Sequence, residues 1–221
     1  MILCIETSTI NCSAALVDQG VVLVHRSHQA EHYVHAESLH HLIQECLMEQ
    51  GISSSQLDAV AVSSGPGSYT GLRIGVSAAK GLAYGLGIPL IALDTLSVLG
   101  QYGLSLGNFD VAIAMLDARR MEVFTSKTDR YNFGPAEALI LDQAYFDQLA
   151  QENTIIIGDG AFKCANFLSV KAEVLNIHPS ATMMAPLAHE KFLRQEFVDV
   201  AYFEPFYLKE FVAGISTKSI L

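Results

Sequence analysis

The run Ser64-Gly-Pro-Gly-Ser-Tyr-Thr-Gly-Leu-Arg-Ile-Gly75 constrains the fold of this chain more than any other stretch. It follows an apolar segment, Ala59–Val62, that reads as a buried strand, and it leads into Val76–Gly85, which is rich in helix formers. The junction is therefore strand, glycine-rich turn, helix. Gly65 and Gly67 allow backbone conformations or close approaches that a side chain would forbid, and Pro66 stiffens the turn between them. Ser68 and Thr70 place hydroxyls at the helix start, where free N–H groups favour a cap or a phosphate. Two readings stand at this point: a phosphate-binding loop, or a tight turn that lets helix and strand pack closely. The run is neither a P-loop nor a dinucleotide fingerprint, because no Gly-Lys-Ser/Thr follows and the glycine spacing differs.

Around this junction the pattern predicts strands over Ile2–Glu6, Ser13–Val17 and Val21–His28, the last two joined by the Asp18-Gln-Gly20 turn. A helical stripe follows over His35–Gln50, with Leu39, Leu42, Ile43, Cys46 and Leu47 on one face and Gly51 as its stop. After the glycine run come a helix over Leu72–Tyr84, a strand over Ile88–Leu93 and a helix capped by Asp94 or Thr95. The order β-β-β-α-β-α-β-α predicts an α/β architecture with a mixed sheet. Gly103–Asn108 is the expected boundary, giving an N-terminal lobe over 1–104 and a smaller, more irregular lobe over 105–221. In the second lobe, strands are expected over Val111–Leu116, Met121–Ser126 and Thr154–Ile157. Helices are expected over Asp142–Gln151 and near Ala181–Gln195, with Gly158-Asp-Gly160 as a second glycine turn before Ala161–Leu168.

Hydrophobic residues make up 51% of the 221 positions and charged ones 16%, which argues for a packed core and leaves apolar surface that oligomerisation would cover. A net charge of −10 with only 13 Lys and Arg argues against nucleic acid as a ligand of the chain alone. The four cysteines, Cys4, Cys12, Cys46 and Cys164, have no C-x-x-C spacing and read as buried thiols of a reducing compartment. Glu6 comes too early for a signal peptide, and no uncharged apolar run reaches membrane-spanning length. A cytoplasmic protein with no membrane partner is expected.

Taken together, Ile5-Glu-Thr-Ser8, His35-Ala-Glu-Ser-Leu39, the run Ser64–Gly75 with Lys80-Gly-Leu-Ala-Tyr-Gly85, Asp117-Ala-Arg-Arg120, Gly158-Asp-Gly160 and Pro205-Phe-Tyr-Leu208 resemble the TsaB (YeaZ) family. The resemblance runs nearly end to end, and the central glycine run is its most specific part. It implies a two-lobed fold of the actin/Hsp70/sugar-kinase (ASKHA) type. It also implies a non-catalytic partner subunit of the TsaD transferase in threonylcarbamoyladenosine (t6A) modification of tRNAs reading codons that begin with A. TsaD and TsaE are the implied direct partners, TsaC acts in the same synthesis, a homodimer forms when the chain is alone, and tRNA is met only indirectly. No intrinsic cofactor is implied, with ATP as a candidate ligand at the interface with partners. The alternatives weighed against this are a self-sufficient ATP-dependent enzyme of the same fold and, more weakly, a metallopeptidase.

Active members of the fold carry an Asp where this chain has Glu6, followed by hydroxyl residues that contact phosphate, here Thr7 and Ser8. An aspartate there holds a metal-bound water, so the longer Glu6 argues against Mg-ATP hydrolysis. Glu6, Thr7, Ser8, Gly65, Gly67, Ser68 and Arg119 are expected to mark a vestigial phosphate cleft, with no catalytic residue among them. A strand-end carboxylate satisfied by its own turn is the plainer alternative for Glu6, and a salt-bridged hairpin corner involving Glu122 is the plainer alternative for Arg119 and Arg120. His32, His35, His40 and His41 do not have one-face ligand spacing, so no metal is expected. Lys80 reads as a surface residue lying along its helix. Gly71, Gly75, Ala79 and Ala83 recur every four residues and would let another helix approach closely. With His35, Leu39 and Leu42 of the preceding helix, they are the expected partner interface.

Overall fold

The computed structural model describes residues 1–29, 34–149, 153–167 and 172–209. Three strands open the chain: β1 (Ile2–Glu6), β2 (Asn11–Asp18) and β3 (Val21–Gln29). Helix α1 (His35–Gln50), strand β4 (Ala59–Gly65), helix α2 (Tyr69–Leu86), strand β5 (Leu90–Asp94) and helix α3 (Thr95–Ser105) follow. The first sheet has the order β3-β2-β1-β4-β5, antiparallel in its first three strands and parallel from β1 to β5.

The second half repeats that plan. Strands β6 (Val111–Asp117), β7 (Glu122–Asp129) and β8 (Glu137–Ile140) form an antiparallel meander; helix α4 (Gln143–Leu149), strand β9 (Thr154–Ile157), strand β10 (Glu173–Leu175) and helix α5 (Ala185–Leu193) follow among the described residues. Read from β8, the second sheet runs β8-β7-β6-β9-β10, with β6, β9 and β10 parallel. Position for position this is the topology of the first sheet. Two mixed sheets of identical topology form the two-lobed plan of the actin/Hsp70/sugar-kinase fold.

Helix α3 joins the lobes physically. It packs on β4 and β5 of the first sheet and on β6, β7 and β9 of the second. Its Leu96 and Leu99 are fully buried with Ala112, Ala114, Ile155 and Ile157. Asp94 caps it by accepting from the Ser97 N–H at 2.7 Å. Helices α1 and α2 cover one face of the first sheet. The opposite face is covered by a return of the chain: Ala181, Met184, Ala185, Leu187 and Ala188 bury against Ile2, Cys4, Ala15, Ala61 and Leu93. A division at 104/105 therefore separates the two sheets but leaves α5 packed on the first of them.

After α5 the chain forms an irregular strap along the first lobe. Val198 N–H donates to Leu90 O at 2.9 Å, and Phe206 N–H donates to Ser64 O at 2.7 Å. Lys80 holds the strap between these points, its Nζ donating to Ala201 O at 3.1 Å and Phe203 O at 2.8 Å. Lys80 is thus an internal tether as well as a surface side chain.

Candidate functional site

The turn after β1 and the glycine run after β4 lie side by side because β1 and β4 are adjacent parallel strands. Glu6, Thr7 and Ser8 are all buried. Glu6 Oε1 accepts from the Ser8 N–H at 2.6 Å and from the Ser63 hydroxyl at 2.9 Å. Burial raises the Glu6 pKa above the ordinary carboxylate value against the lowering effect of these bonds. Glu6 is a strand-end carboxylate held by its own turn and by the neighbouring strand.

The glycine run is used in the same way. Ser68 N–H donates to Ser8 O at 2.6 Å, and the Ser68 hydroxyl caps α2 by accepting from the Gly71 N–H at 3.2 Å. A Cβ on Gly67 would lie 2.5 Å from Ser8 O, and one on Gly75 would lie 2.1 Å from Thr7 Oγ1. The strap closes Gly65 from the other side, with Phe206 O 2.3 Å from a Cβ built there. A nucleotide phosphate with its metal ion does not fit this junction: the β1 turn occupies the space against the glycines, and the Glu6 carboxylate is enclosed. Among the described residues, Glu6 Oε2 and Thr7 Oγ1 are buried without a hydrogen-bond partner.

Arg119 is not part of this cluster. It sits on the exposed β6–β7 corner with Arg120, both at positive φ (70° and 51°), its N–H donating to Asp117 Oδ1 at 2.6 Å. The corner is salt-bridged, but through lysines. Lys163 Nζ reaches Asp117 Oδ1 at 2.7 Å, and Lys209 pairs with Glu122. No ion pair joins either arginine to a carboxylate among the described residues. The corner is the second sheet's counterpart of the Glu6–Ser8 turn, and Gly158–Gly160 after β9 is the counterpart of the glycine run.

The expected interface residues need correction. His35, Leu39, Leu42, Gly71, Gly75, Ala79 and Ala83 are all buried within this chain. His35 Nε2 bonds Thr9 O at 2.7 Å, and its pKa is lowered by burial. Gly71 and Gly75 serve the approach of α2 to its own β1 turn, and Ala79 and Ala83 pack into the core of the first sheet. The outward surface lies further round both helices. There, Ala36 and His40 of α1 and Arg73, Ile74, Ser77, Ala78, Gly81 and Leu82 of α2 line an open groove of ≈ 590 Å³. The two-helix surface thus exists, built from residues that spacing alone did not single out. Ile74, Ala78 and Leu82 form a second four-residue ridge beside the first, and that ridge was the available signal.

Of the remaining candidates, His32 lies outside the described residues, and His40 and His41 are exposed. Among the described residues no group of three metal-ligating side chains converges. All four cysteines are free and buried. Burial pushes Cys46 up to about 11 and Cys4, Cys12 and Cys164 up to about 12. No helix among the described residues is long and apolar enough to cross a membrane.

Residues 29–163 match the family described as "TsaD: tRNA N6-adenosine threonylcarbamoyltransferase". The tRNA threonylcarbamoyladenosine biosynthesis protein TsaB of Haemophilus influenzae is 30% identical over 94% of this chain and 93% of its own length. The protein of the same name from Escherichia coli is 30% identical over 96% of each chain. Among solved structures, YeaZ from Pseudomonas aeruginosa superposes with a TM-score of 0.78 at 26% identity, covering 94% of this chain and 99% of that one. Carried by these full-length matches and by the two-lobed fold, the chain belongs to the TsaB family of tRNA threonylcarbamoyladenosine biosynthesis proteins.

Proposed function

We propose that this chain is a non-catalytic subunit of t6A synthesis on tRNAs reading codons that begin with A, acting by docking a TsaD-type transferase on the α1–α2 groove. The observation that carries the reading is the filled junction. The two segments that would have to bind a nucleotide phosphate, Glu6–Ser8 and Gly65–Ser68, are bonded to each other instead. A self-sufficient ATP-dependent enzyme would need that space open. ATP used by the assembly then belongs to a surface shared with partners, and the chain contributes no cofactor of its own.

The groove supports the docking half of the proposal. It combines half-buried Ile74, Ala78 and Leu82 with small exposed Ser77 and Gly81, so a facing helix can approach closely. An interface of standard size, roughly 1,600 Å² in total, would also cover apolar surface that a chain with 16% charged residues exposes. TsaE joins the assembly, TsaC supplies its activated intermediate in the cytoplasm, tRNA is contacted through TsaD, and without TsaD the same groove pairs two copies of this chain. Co-purification with TsaD from the same organism tests the proposal. A one-to-one complex, with no ATP hydrolysis by the chain alone, is expected. ATP turnover by the contaminant-free chain at about 1 s⁻¹ or more, an ordinary enzymatic rate, would overturn it.

A further inference from the structure

The α1–α2 groove does not end at α2. A second groove of ≈ 220 Å³ runs between α2 and the strap, lined by Arg73, Val76, Ser77, Lys80, Phe203, Glu204, Pro205 and Tyr207; it shares Arg73 and Ser77 with the first. The two differ in chemistry. The first is largely aliphatic, whereas the second carries two cations on a chain whose net charge is −10.

Both cations are held in place by neutral groups. The Arg73 guanidinium lies over the Tyr69 ring, 4.1 Å from its centroid, and its Nε donates to the Tyr207 hydroxyl at 3.2 Å. That arrangement fixes the plane of the fork between the two tyrosines. Lys80 gives two of its three protons to the Ala201 and Phe203 carbonyls, which are neutral. Neither cation has a carboxylate within ion-pair distance among the described residues, although Glu204 lines the same groove.

We infer that Arg73, with Lys80 behind it, is a preformed anchor for a carboxylate side chain of the docked partner, the guanidinium fork receiving it at the edge of the aliphatic groove. This rests on the docking reading above and adds the chemistry of the partner segment. Aliphatic contact supplies area, and the charge pair at its rim selects the partner and steers its approach.

The test is titration of purified TsaD from the same organism into the full chain at low and at high salt. Wild-type affinity is expected to weaken with salt. Arg73→Gln and Lys80→Gln should each weaken it about tenfold at low salt and flatten the salt dependence, while Arg73→Lys recovers part of the loss. Unchanged affinity and slope in both Gln variants overturns the anchor. Arg73 also holds the strap through Tyr207, so Tyr207→Phe is its control, since it removes the hydrogen bond but no charge. If Tyr207→Phe reproduces the loss and Arg73→Gln keeps the wild-type salt slope, Arg73 acts only through the strap and the anchor is overturned. Ala78→Arg reports on the docking reading separately. Binding retained by Ala78→Arg removes the groove itself, whereas binding lost there and intact in Arg73→Gln removes only the anchor. Salt-dependent self-association through Arg73, with TsaD binding indifferent to it, would likewise overturn the inference.

Discussion

The backbone N–H of Ser68 donates to the carbonyl of Ser8 at 2.6 Å, tying the start of α2 to the turn after β1. A glycine-rich strand–turn–helix junction is here a packing device. Its glycines are needed for the approach of one backbone to another, so the cost of a methyl group there measures that approach directly.

Gly67→Ala and Gly75→Ala should each destabilise the chain by ~1–3 kcal/mol, a fall in Tm of about 2–4 °C per kcal/mol for a chain of this size. Gly85→Ala is the contrast. It lies in the same helix with nothing within 4 Å of its Cβ position, and should be neutral or stabilising by ~0.5 kcal/mol. Thermal melts of the three variants check this; equal effects at all three positions would contradict the packing role.

Glu6→Gln should stabilise the chain near neutral pH, by an amount that shrinks in acid. Burial holds the folded-state pKa of Glu6 above its ordinary value of 4.5. Below that ordinary value both states are protonated. As the pH rises through it, the unfolded chain loses its proton first, and stability falls until the folded pKa is passed. Glutamine keeps an oxygen for the Ser8 and Ser63 donors and removes the titration. Denaturant midpoints of both proteins, compared in acid below the ordinary carboxylate value and near neutral pH, test the sign.

The thiols give an independent check on burial. With Cys4, Cys12, Cys46 and Cys164 all buried and their pKa values raised, none should react with a thiol reagent at neutral pH on the timescale of mixing. All four should react in denaturant. A fast-reacting thiol in the native protein would contradict the packing described for its strand or helix.

Much of the fold was legible because the first lobe's elements are punctuated. Helix α1 begins and ends at the expected residues, since its apolar stripe is closed by Gly51 in the left-handed conformation (φ 70°). The same holds for β1 and β9, whose apolar runs are buried throughout. Strand β8 was not legible because it is an exposed edge with no alternating pattern, and β10 was not because it has only three residues. The strap was read only as a terminal segment, since its hold comes from Lys80 and Ser64, over a hundred residues earlier. At the site, the residues that spacing singled out on α1 and α2 are buried within the chain, and the outward groove is lined by their neighbours. Gly71–Ala83 and Ile74–Leu82 are both four-residue ridges of small or aliphatic side chains, and spacing cannot say which one its own sheet covers.

That distinction predicts opposite outcomes at neighbouring positions. Ala79 is fully buried, so Ala79→Arg should prevent folding, at a cost of several kcal/mol from volume and unpaired charge. Ala78 is half-buried on the groove, and Ala78→Arg should leave the melting curve near that of the wild type while abolishing association with TsaD. Circular-dichroism melts beside a binding assay separate the two.

The most direct measurement of whether this chain works by docking is reconstituted t6A formation on tRNA with TsaC, TsaD and TsaE, comparing no added chain, wild type, Ala78→Arg and Glu6→Gln. The account predicts that Ala78→Arg falls to the level of omission while Glu6→Gln supports modification as the wild type does. Modification sustained by Ala78→Arg and abolished by Glu6→Gln would contradict it, placing the function in the β1 turn and not on the α1–α2 groove.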